Sequence, residues 1–558
     1  MKKILLGDEA IVQGALEAGV DFVSGYPGCP SAEIGDEFLK LSRLQSNRGS
    51  TMPTLSASGQ KTNGIYAEWS INEKVALESA IGASFSGLKS LVNMKSFGIN
   101  VCSDSLLPLV YTGTKAGMVI VVADDPSCWS SAQSEQDSRG YAYLSHIPML
   151  EPADPQECRD FTKLGFELSE KFNLPVILRI TTRVAHQRMP VEFNKVSSRP
   201  QKKGEFIKNP HQFSTMPPRV LEMKKELLDK LEKIKAYAEK SGINYIIKSK
   251  KPAETGIMAS GVAYLYVMEA LKELDIDAPV LKVNLFYPLA DITVSKFIKN
   301  LKKVLVVEEL EGYLEKEINA IAKAVNPKLQ VFGKDLLPVI GELDAEKVCL
   351  ALAKVTGKEF KANAVKPLSL PRRTARLCEG CPYWYVFPVI KRVAPEGTIF
   401  GGDIGCNMIA GLEPHSMHDY LFSMGASLGI SHGVKKSTNQ KVISLMGDGT
   451  FFHAGIPALI NAVYNKSNPL VVILDNRITA MTGHQANPGM GKTGMGEDTE
   501  ELKIEDIAKA CGVKNIKVLD PANVKEFEDA IKEFLDKDEV SVIICRRICA
   551  LLAKRQKQ

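Results

Sequence analysis

The sequence predicts an α/β protein of three doubly wound, parallel-sheet units, and three observations carry that prediction. Short β-branched runs alternate with helix-length segments along most of the 558 residues, the pattern of parallel strands covered by helices on both faces. The longest apolar runs, such as Leu470–Leu474 and Val542–Ile544, are strand-sized. The alternation also breaks twice, at stretches rich in lysine and proline, in a chain long enough for three or four domains of roughly 150 residues each.

In the first block, residues 1–191, helical periodicity appears at Glu9–Ala18 and Glu73–Phe85. Strand-like runs appear there at Asp21–Ser24, Lys89–Val92, Gly117–Val122 and Leu174–Arg179. Residues 192–253 interrupt the pattern and hold one amphipathic stretch, Leu221–Tyr237, with Leu227, Leu228, Leu231 and Ile234 on its apolar face. We read a linker carrying a packed helix, its lysines a solvated face rather than a nucleic-acid patch. Alternation resumes over 254–360 with strand-like Gly256–Ala259, Val280–Val283 and Lys303–Val307. A connection, Lys361–Arg376, leads into the last block, 361–558.

Composition narrows the function. Hydrophobic residues make up 45% and charged residues 24%, which excludes a mainly disordered chain. Seventy basic against 65 acidic residues leave a net charge of +5, too even for the concentrated basic stripe that nucleic acid requires. Met1–Gly7 lacks the apolar core of a secretory signal, and no run approaches the ~20 apolar residues of a membrane span. A cytoplasmic enzyme is expected. Eleven cysteines, an odd number, then point to thiols, metal ligands or core residues rather than disulfides. Cys102, Cys128, Cys158, Cys349 and Cys511 are spread singly and read as small buried hydrophobes.

The densest chemistry lies in the last block. Strand-like Lys441–Met446 runs into Gly447-Asp448-Gly449, and Asn476 follows the next strand-like run. Neighbouring parallel strands present their carboxyl ends at one edge, where ligands bind. Asp448 and Asn476 can there grip one Mg²⁺ from two sides, a diphosphate and water completing its octahedral oxygen shell. The glycines admit phosphates close to the backbone. Taken alone, Gly-Asp-Gly favours a turn with a capping asparagine; the spacing and the two strand-like runs turn the reading to a cofactor site. Gly489-Met490-Gly491-Lys492-Thr493 has the look of a Walker loop, but its first glycine would fall at Ala486 and no strand immediately precedes it. We read it as a glycine-rich active-site loop.

The Asp448…Asn476 pattern resembles the thiamine diphosphate motif, which implies Asp448, Asn476 and the Ile478 carbonyl as Mg²⁺ ligands. Thr482-Gly483-His484-Gln485 resembles the Thr-Gly-Gly-Gln loop of the 2-oxoacid:ferredoxin oxidoreductase superfamily, implying Thr482 and Gly483 beside the cofactor. Collinear segments along the whole chain are similar to the α-subunit family of indolepyruvate ferredoxin oxidoreductases. They include Gly7–Val20, Gly25–Ser31, Glu68–Ser84, Met94–Val101, Ser130–Arg139, Arg179–His186, Val307–Glu309, Asp403–Cys406 and Met424–Ser427. The resemblance implies a pyrimidine-binding domain (1–191), the linker (192–253), a transketolase C-terminal-like domain (254–360) and a diphosphate-binding domain (361–558). It also implies Glu73 as the carboxylate that activates the cofactor's aminopyrimidine; without the family, Glu73 is an acidic residue opening a helix.

The same resemblance makes Cys378, Cys381, Cys406 and Cys549 ligands of a [4Fe–4S] cluster, with Cys545 a rival for the last place; a structural zinc or free thiols are the alternative. A one-electron acceptor beside the cofactor turns a decarboxylase into an oxidoreductase. The implied reaction is oxidative decarboxylation of an aryl or branched 2-oxoacid to an acyl-CoA. Its implied partners are CoA, a smaller γ/β-type subunit and ferredoxin or another carrier, in a homodimeric core or heterotetramer. A non-oxidative thiamine lyase and a non-catalytic subunit are the rival functions. Three features depart from the family. Fuller α subunits continue into a ferredoxin-like domain, whereas this sequence stops at Gln558, so electrons are expected to leave by another subunit or carrier. Cys29 replaces a threonine linked to substrate, a weaker hydrogen-bond donor, and reads equally as a turn cysteine. Tyr383-Trp384 stands where the family has His-Arg. Arg139, Arg183 and His484 complete the pocket candidates, with structural ion pairs the alternative for both arginines.

Overall fold

The computed structural model describes residues 1–46, 64–196, 200, 202–362, 371 and 374–556; most of the Lys361–Arg376 connection lies outside them. The chain divides into two compact units, Met1–Lys366 and Pro367–Gln558.

The first unit contains two large sheets and a small one. Its seven-stranded sheet runs, in spatial order, Leu285–Tyr287, Met149–Leu150, Val176–Thr181, Met118–Asp124, Ser90–Lys95, Phe22–Gly25 and Tyr66–Trp69. All neighbours are parallel except Leu285–Tyr287, which is antiparallel to Met149–Leu150. A five-stranded sheet orders Gln330–Phe332, Lys303–Val307, Thr255–Ser260, Val280–Val283 and Tyr245–Ile247, the last strand antiparallel. Lys2–Leu6 pairs antiparallel with Arg188–Glu192.

Three elements depart from the sequence reading. Leu285–Tyr287 comes from the block expected to be a separate domain, yet it extends the first sheet. Tyr245–Ile247 comes from the expected linker, yet it edges the second. The expected helix is longer, Arg219–Ser241, and buries Met223, Leu227, Leu231, Ile234 and Ala238. Leu228 is 43% exposed, because it sits about 100° around the helix from Leu227.

Inside this unit two arginines are enclosed. Arg139 is 0% exposed; it bonds Asp137 (3.0 and 2.7 Å), Glu308 (2.7 Å) and the Glu309 and Glu311 carbonyls. Phe286 and Tyr313 flank its guanidinium at 5.3 and 5.4 Å from the ring centroids. Arg179 bonds Asp124 (2.8 Å) and Glu151 (2.6 Å). The Arg139 pairs thus tie the strand-end loops of one sheet to the segment after Lys303–Val307 of the other.

The second unit is one six-stranded, all-parallel sheet: Tyr420–Leu421, Ile399–Gly402, Val442–Gly447, Leu470–Asp475, Ser541–Arg546 and Asn515–Leu519. Its strands split residue by residue between two cores. Ile443, Leu445, Leu470, Val472, Leu474, Ile543 and Cys545 pack on helices Tyr383–Val393 and Val524–Leu535. Met446, Val471, Ile473, Val542 and Ile544 pack against Leu428, Leu459 and Ala508 of helices on the opposite face. Such double burial explains the uninterrupted apolar runs. No described helix is long and apolar enough to cross a membrane.

Replacing Arg139 by methionine should take from buried Asp137 and Glu308 their shared cation and cost about 3–5 kcal/mol, read as a lowered urea midpoint for the first unit.

Candidate functional site

Gly447 ends a strand, and Asp448 opens the helical turn Asp448–Thr450 that continues through Phe451–Gly455 into helix Ile456–Tyr464. Asp448 is 3% exposed. Its Oδ1 accepts from the Gly449 amide at 2.8 Å and its Oδ2 from Asn487 Nδ2 at 3.0 Å. Burial, reinforced by the neighbouring Asp475 carboxylate, pushes its pKa up to about 7. Asn476 leaves the next strand with its Nδ2 donating to Tyr383 Oη (3.0 Å) and its Oδ1 accepting from the Ile478 amide (3.1 Å). The Asn476 carbonyl accepts from the Cys549 amide at 3.0 Å.

Beyond Ile478, paired Thr479 and Gln485 close the loop that carries Thr482, Gly483 and His484. Thr482 Oγ1 donates to Gln485 Oε1 at 2.7 Å. Gly483 and His484 turn with φ of 129° and 69°, a reversal open to glycine and tolerated by few others. Asn487 was missed by sequence reasoning. It caps the turn Pro488–Met490 through Gly489 N at 3.0 Å, and the same side chain reaches Asp448. The Asn-Pro-Gly string was the available signal, since asparagine before such a turn uses its side chain locally.

Two further segments converge here. Asp403, 0% exposed, accepts from the amides of Ile404 (2.8 Å), Gly425 (3.0 Å) and Ser427 (3.2 Å). It thereby joins Asp403–Cys406 to the start of helix Ala426–Ser437. Thr450 Oγ1 donates to the Ile404 carbonyl at 3.2 Å, bringing that turn to Asp448. Asn407 is 1% exposed, and neither atom of its amide has a partner among the described residues. A Cβ on Gly405 or Gly447 would meet nothing within 4 Å, so open space adjoins both.

The cysteines sort themselves. Cys378 is exposed, while Cys381, Cys406 and Cys549 are half-buried. The Cys381 amide bonds the Cys378 carbonyl at 3.1 Å, and a Cβ on the intervening Gly380 would lie 3.6 Å from that of Ala550, next to Cys549. Burial raises the Cys381 thiol to about 11 and that of Cys406 to about 12, and charges on Cys378 and Cys549 push both the same way. The four sulfurs therefore share one neighbourhood. Cys545 faces the core beside Leu474 and Ile543 instead. His484 Nε2 lies 3.7 Å from Cys549 Sγ.

In the first unit, Glu73 is 7% exposed and opens helix Glu73–Phe85, which Asn72 caps through Val75 N at 2.9 Å. Gly98 makes room for it: a Cβ there would sit 2.6 Å from Glu73 Cγ and 3.1 Å from Oε1. Cys29 lies past the carboxyl end of Phe22–Gly25, and burial followed by the Glu33 charge raises its pKa. Arg139, a pocket candidate, is wholly committed to the ion pairs above, and Arg183 is held bidentately by Glu342 at 2.7 Å. Both take the structural alternative.

Residues 13–227 match the family of pyruvate flavodoxin/ferredoxin oxidoreductase thiamine diphosphate-binding domains. Residues 245–373 match the indolepyruvate oxidoreductase domain, and 403–545 the C-terminal TPP-binding domain of thiamine pyrophosphate enzymes. The chain is 43% identical to indolepyruvate oxidoreductase subunit IorA of Methanothermobacter marburgensis over 98% of its length and 87% of that protein's. Against the Archaeoglobus fulgidus subunit it is 39% identical over 100% and 88%. A solved 2-oxoglutarate:ferredoxin oxidoreductase from Magnetococcus marinus is 17% identical, over 63% of this chain and 65% of that one, with a TM-score of 0.48. On identity sustained over nearly its whole length, the chain belongs to the indolepyruvate oxidoreductase IorA family.

Proposed function

We propose that this chain is the thiamine diphosphate-binding subunit of an enzyme that oxidatively decarboxylates an aryl or branched 2-oxoacid, indolepyruvate-like, to an acyl-CoA. The observation that carries the reading is Asp448: a buried carboxylate at the carboxyl edge of a parallel sheet, beside Asn476, the orphaned Asn407 amide and the open space at Gly447. These residues fit a cation with a diphosphate. Asp448, Asn476 and the Ile478 carbonyl supply oxygen ligands of the kind Mg²⁺ takes, with Gly447, Gly449, Thr482 and Gly483 around the phosphates.

When bound, thiamine diphosphate supplies the electron sink for loss of CO₂, and a [4Fe–4S] cluster supplies a one-electron route away from it. Glu73, in its nearly closed pocket against Gly98, would hold a proton at the cofactor's pyrimidine. Cys378, Cys381, Cys406 and Cys549 would ligate the cluster as thiolates; burial opposes ionisation of Cys381 and Cys406, and bound iron would reverse that balance. The amide of Cys549 on the Asn476 carbonyl puts this group next to the cation ligands. CoA, a smaller γ/β-type subunit and ferredoxin or a similar carrier complete the proposed cycle.

Anaerobic protein reconstituted with thiamine diphosphate, Mg²⁺, iron and sulfide, together with its smaller subunit, should reduce viologen with indolepyruvate only when CoA is present. Release of CO₂ without viologen reduction would point to the non-oxidative lyase instead. Glu73→Gln should lower turnover at least 100-fold while thiamine diphosphate still binds, seen by calorimetry; unchanged turnover would support a non-catalytic subunit.

Asp448→Asn should abolish Mg²⁺-dependent cofactor binding yet stabilise the cofactor-free protein. The folded protein holds the Asp448 proton up to about pH 7, which the unfolded chain releases near pH 4, so wild-type stability falls across that window. The gain in melting temperature should be absent below pH 4 and full above pH 7.

A further inference from the structure

A second buried carboxylate, in the first unit, has no role in the reading above. Asp8 lies in the first turn of helix Gly7–Ala18 and is 1% exposed. Neither of its oxygens has a hydrogen-bond partner among the described residues. It is not the cap of its helix: the neighbouring Glu9 accepts from the Leu6 amide at 2.9 Å. Its surroundings are built rather than accidental. Gly7 packs so tightly on the short helix Thr182–His186 that a Cβ there would lie 2.0 Å from the Val184 carbonyl oxygen. That approach brings Asp8 to His186, while helix Ala32–Ser46 delivers Glu33.

One ligand atom each from Asp8, Glu33 and His186 lies within 4.8 Å of the other two. Glu33 Oε1 and His186 Nε2 are 3.7 Å apart; both residues are exposed and form the mouth, with Asp8 the closed floor. An unpaired carboxylate held out of water is costly unless a cation meets it. Burial and the Glu33 and Glu9 charges hold its pKa well above the usual carboxylate range, the mark of a group without a positive partner.

We propose that Asp8, Glu33 and His186 form a binding site for a divalent transition-metal ion of the Mn²⁺ or Zn²⁺ class, separate from the cation at Asp448. Two carboxylates and one imidazole suit borderline ions better than Mg²⁺, which favours oxygen alone. The ion would take the place of the Glu33–His186 ion pair, and water would fill its outward positions.

The test uses the full-length protein carrying its thiamine diphosphate and cluster, titrated with Mn²⁺ and read by electron paramagnetic resonance and by metal content after gel filtration. Wild type should bind one Mn²⁺ per chain more than Asp8→Asn, and His186→Gln should bind that ion at least tenfold more weakly. Mn²⁺ should raise the melting temperature of wild type by more than that of either variant. Equal stoichiometry and affinity in wild type and both variants would overturn the proposal, as would a wild type that binds Mn²⁺ only at the thiamine site. Should Asp8→Asn fail to fold, Glu33→Gln with His186→Gln decides by the same two readouts.

Discussion

The Arg139 guanidinium is removed from water altogether, and much of the first unit is arranged to make that burial tolerable. Asp137 and Glu308 neutralise it, backbone carbonyls of Glu309 and Glu311 take further N–H groups, and Phe286 and Tyr313 close over it. Its hydrogen-bonding partners come from segments that follow strands Met118–Asp124 and Lys303–Val307, so the cation fixes where those segments stand. A buried ion pair adds little net stability, but removing one member is expensive. The network therefore acts as a register device: the two sheets either meet with these groups matched or do not meet well.

The same physics run in reverse marks the places that await something from outside the chain. Asp403 accepts from three amides at the start of a helix, although burial still raises its pKa to about 7. Asp448 accepts from the Gly449 amide and the Asn487 carboxamide, and Asp8 receives nothing from the described residues. Three carboxylates of similar burial thus differ in how completely the protein answers them. Proteins rarely leave a buried carboxylate unanswered without use, and of the three Asp8 is the one left without a donor among the described residues.

Much of this was legible in the sequence. The strands Val280–Val283 and Lys303–Val307 and the helix Glu73–Phe85 stand where the periodicity puts them, because strands buried on both faces and helices between them have distinct signatures. The edge strands Tyr245–Ile247 and Leu285–Tyr287 were not legible, since three residues carry no period. Arg139 could be noticed but not assigned, as its partner Glu308 lies 169 residues away. The choice between Cys545 and Cys549 turns on which face of a strand points to the core, and that depends on register rather than composition. Asn487 lay in plain view within a loop read for its glycines.

Gly98 carries no functional group, yet it governs one. The space a Cβ would need there is already taken by the side chain of Glu73. Alanine at this position would displace the carboxylate or push two helices apart. The position should thus be as intolerant of drift as the glutamate it shelters, and a survey of natural variation would score it essential without finding any chemistry to credit. Here the constraint is an absence: one methyl group that must never be added.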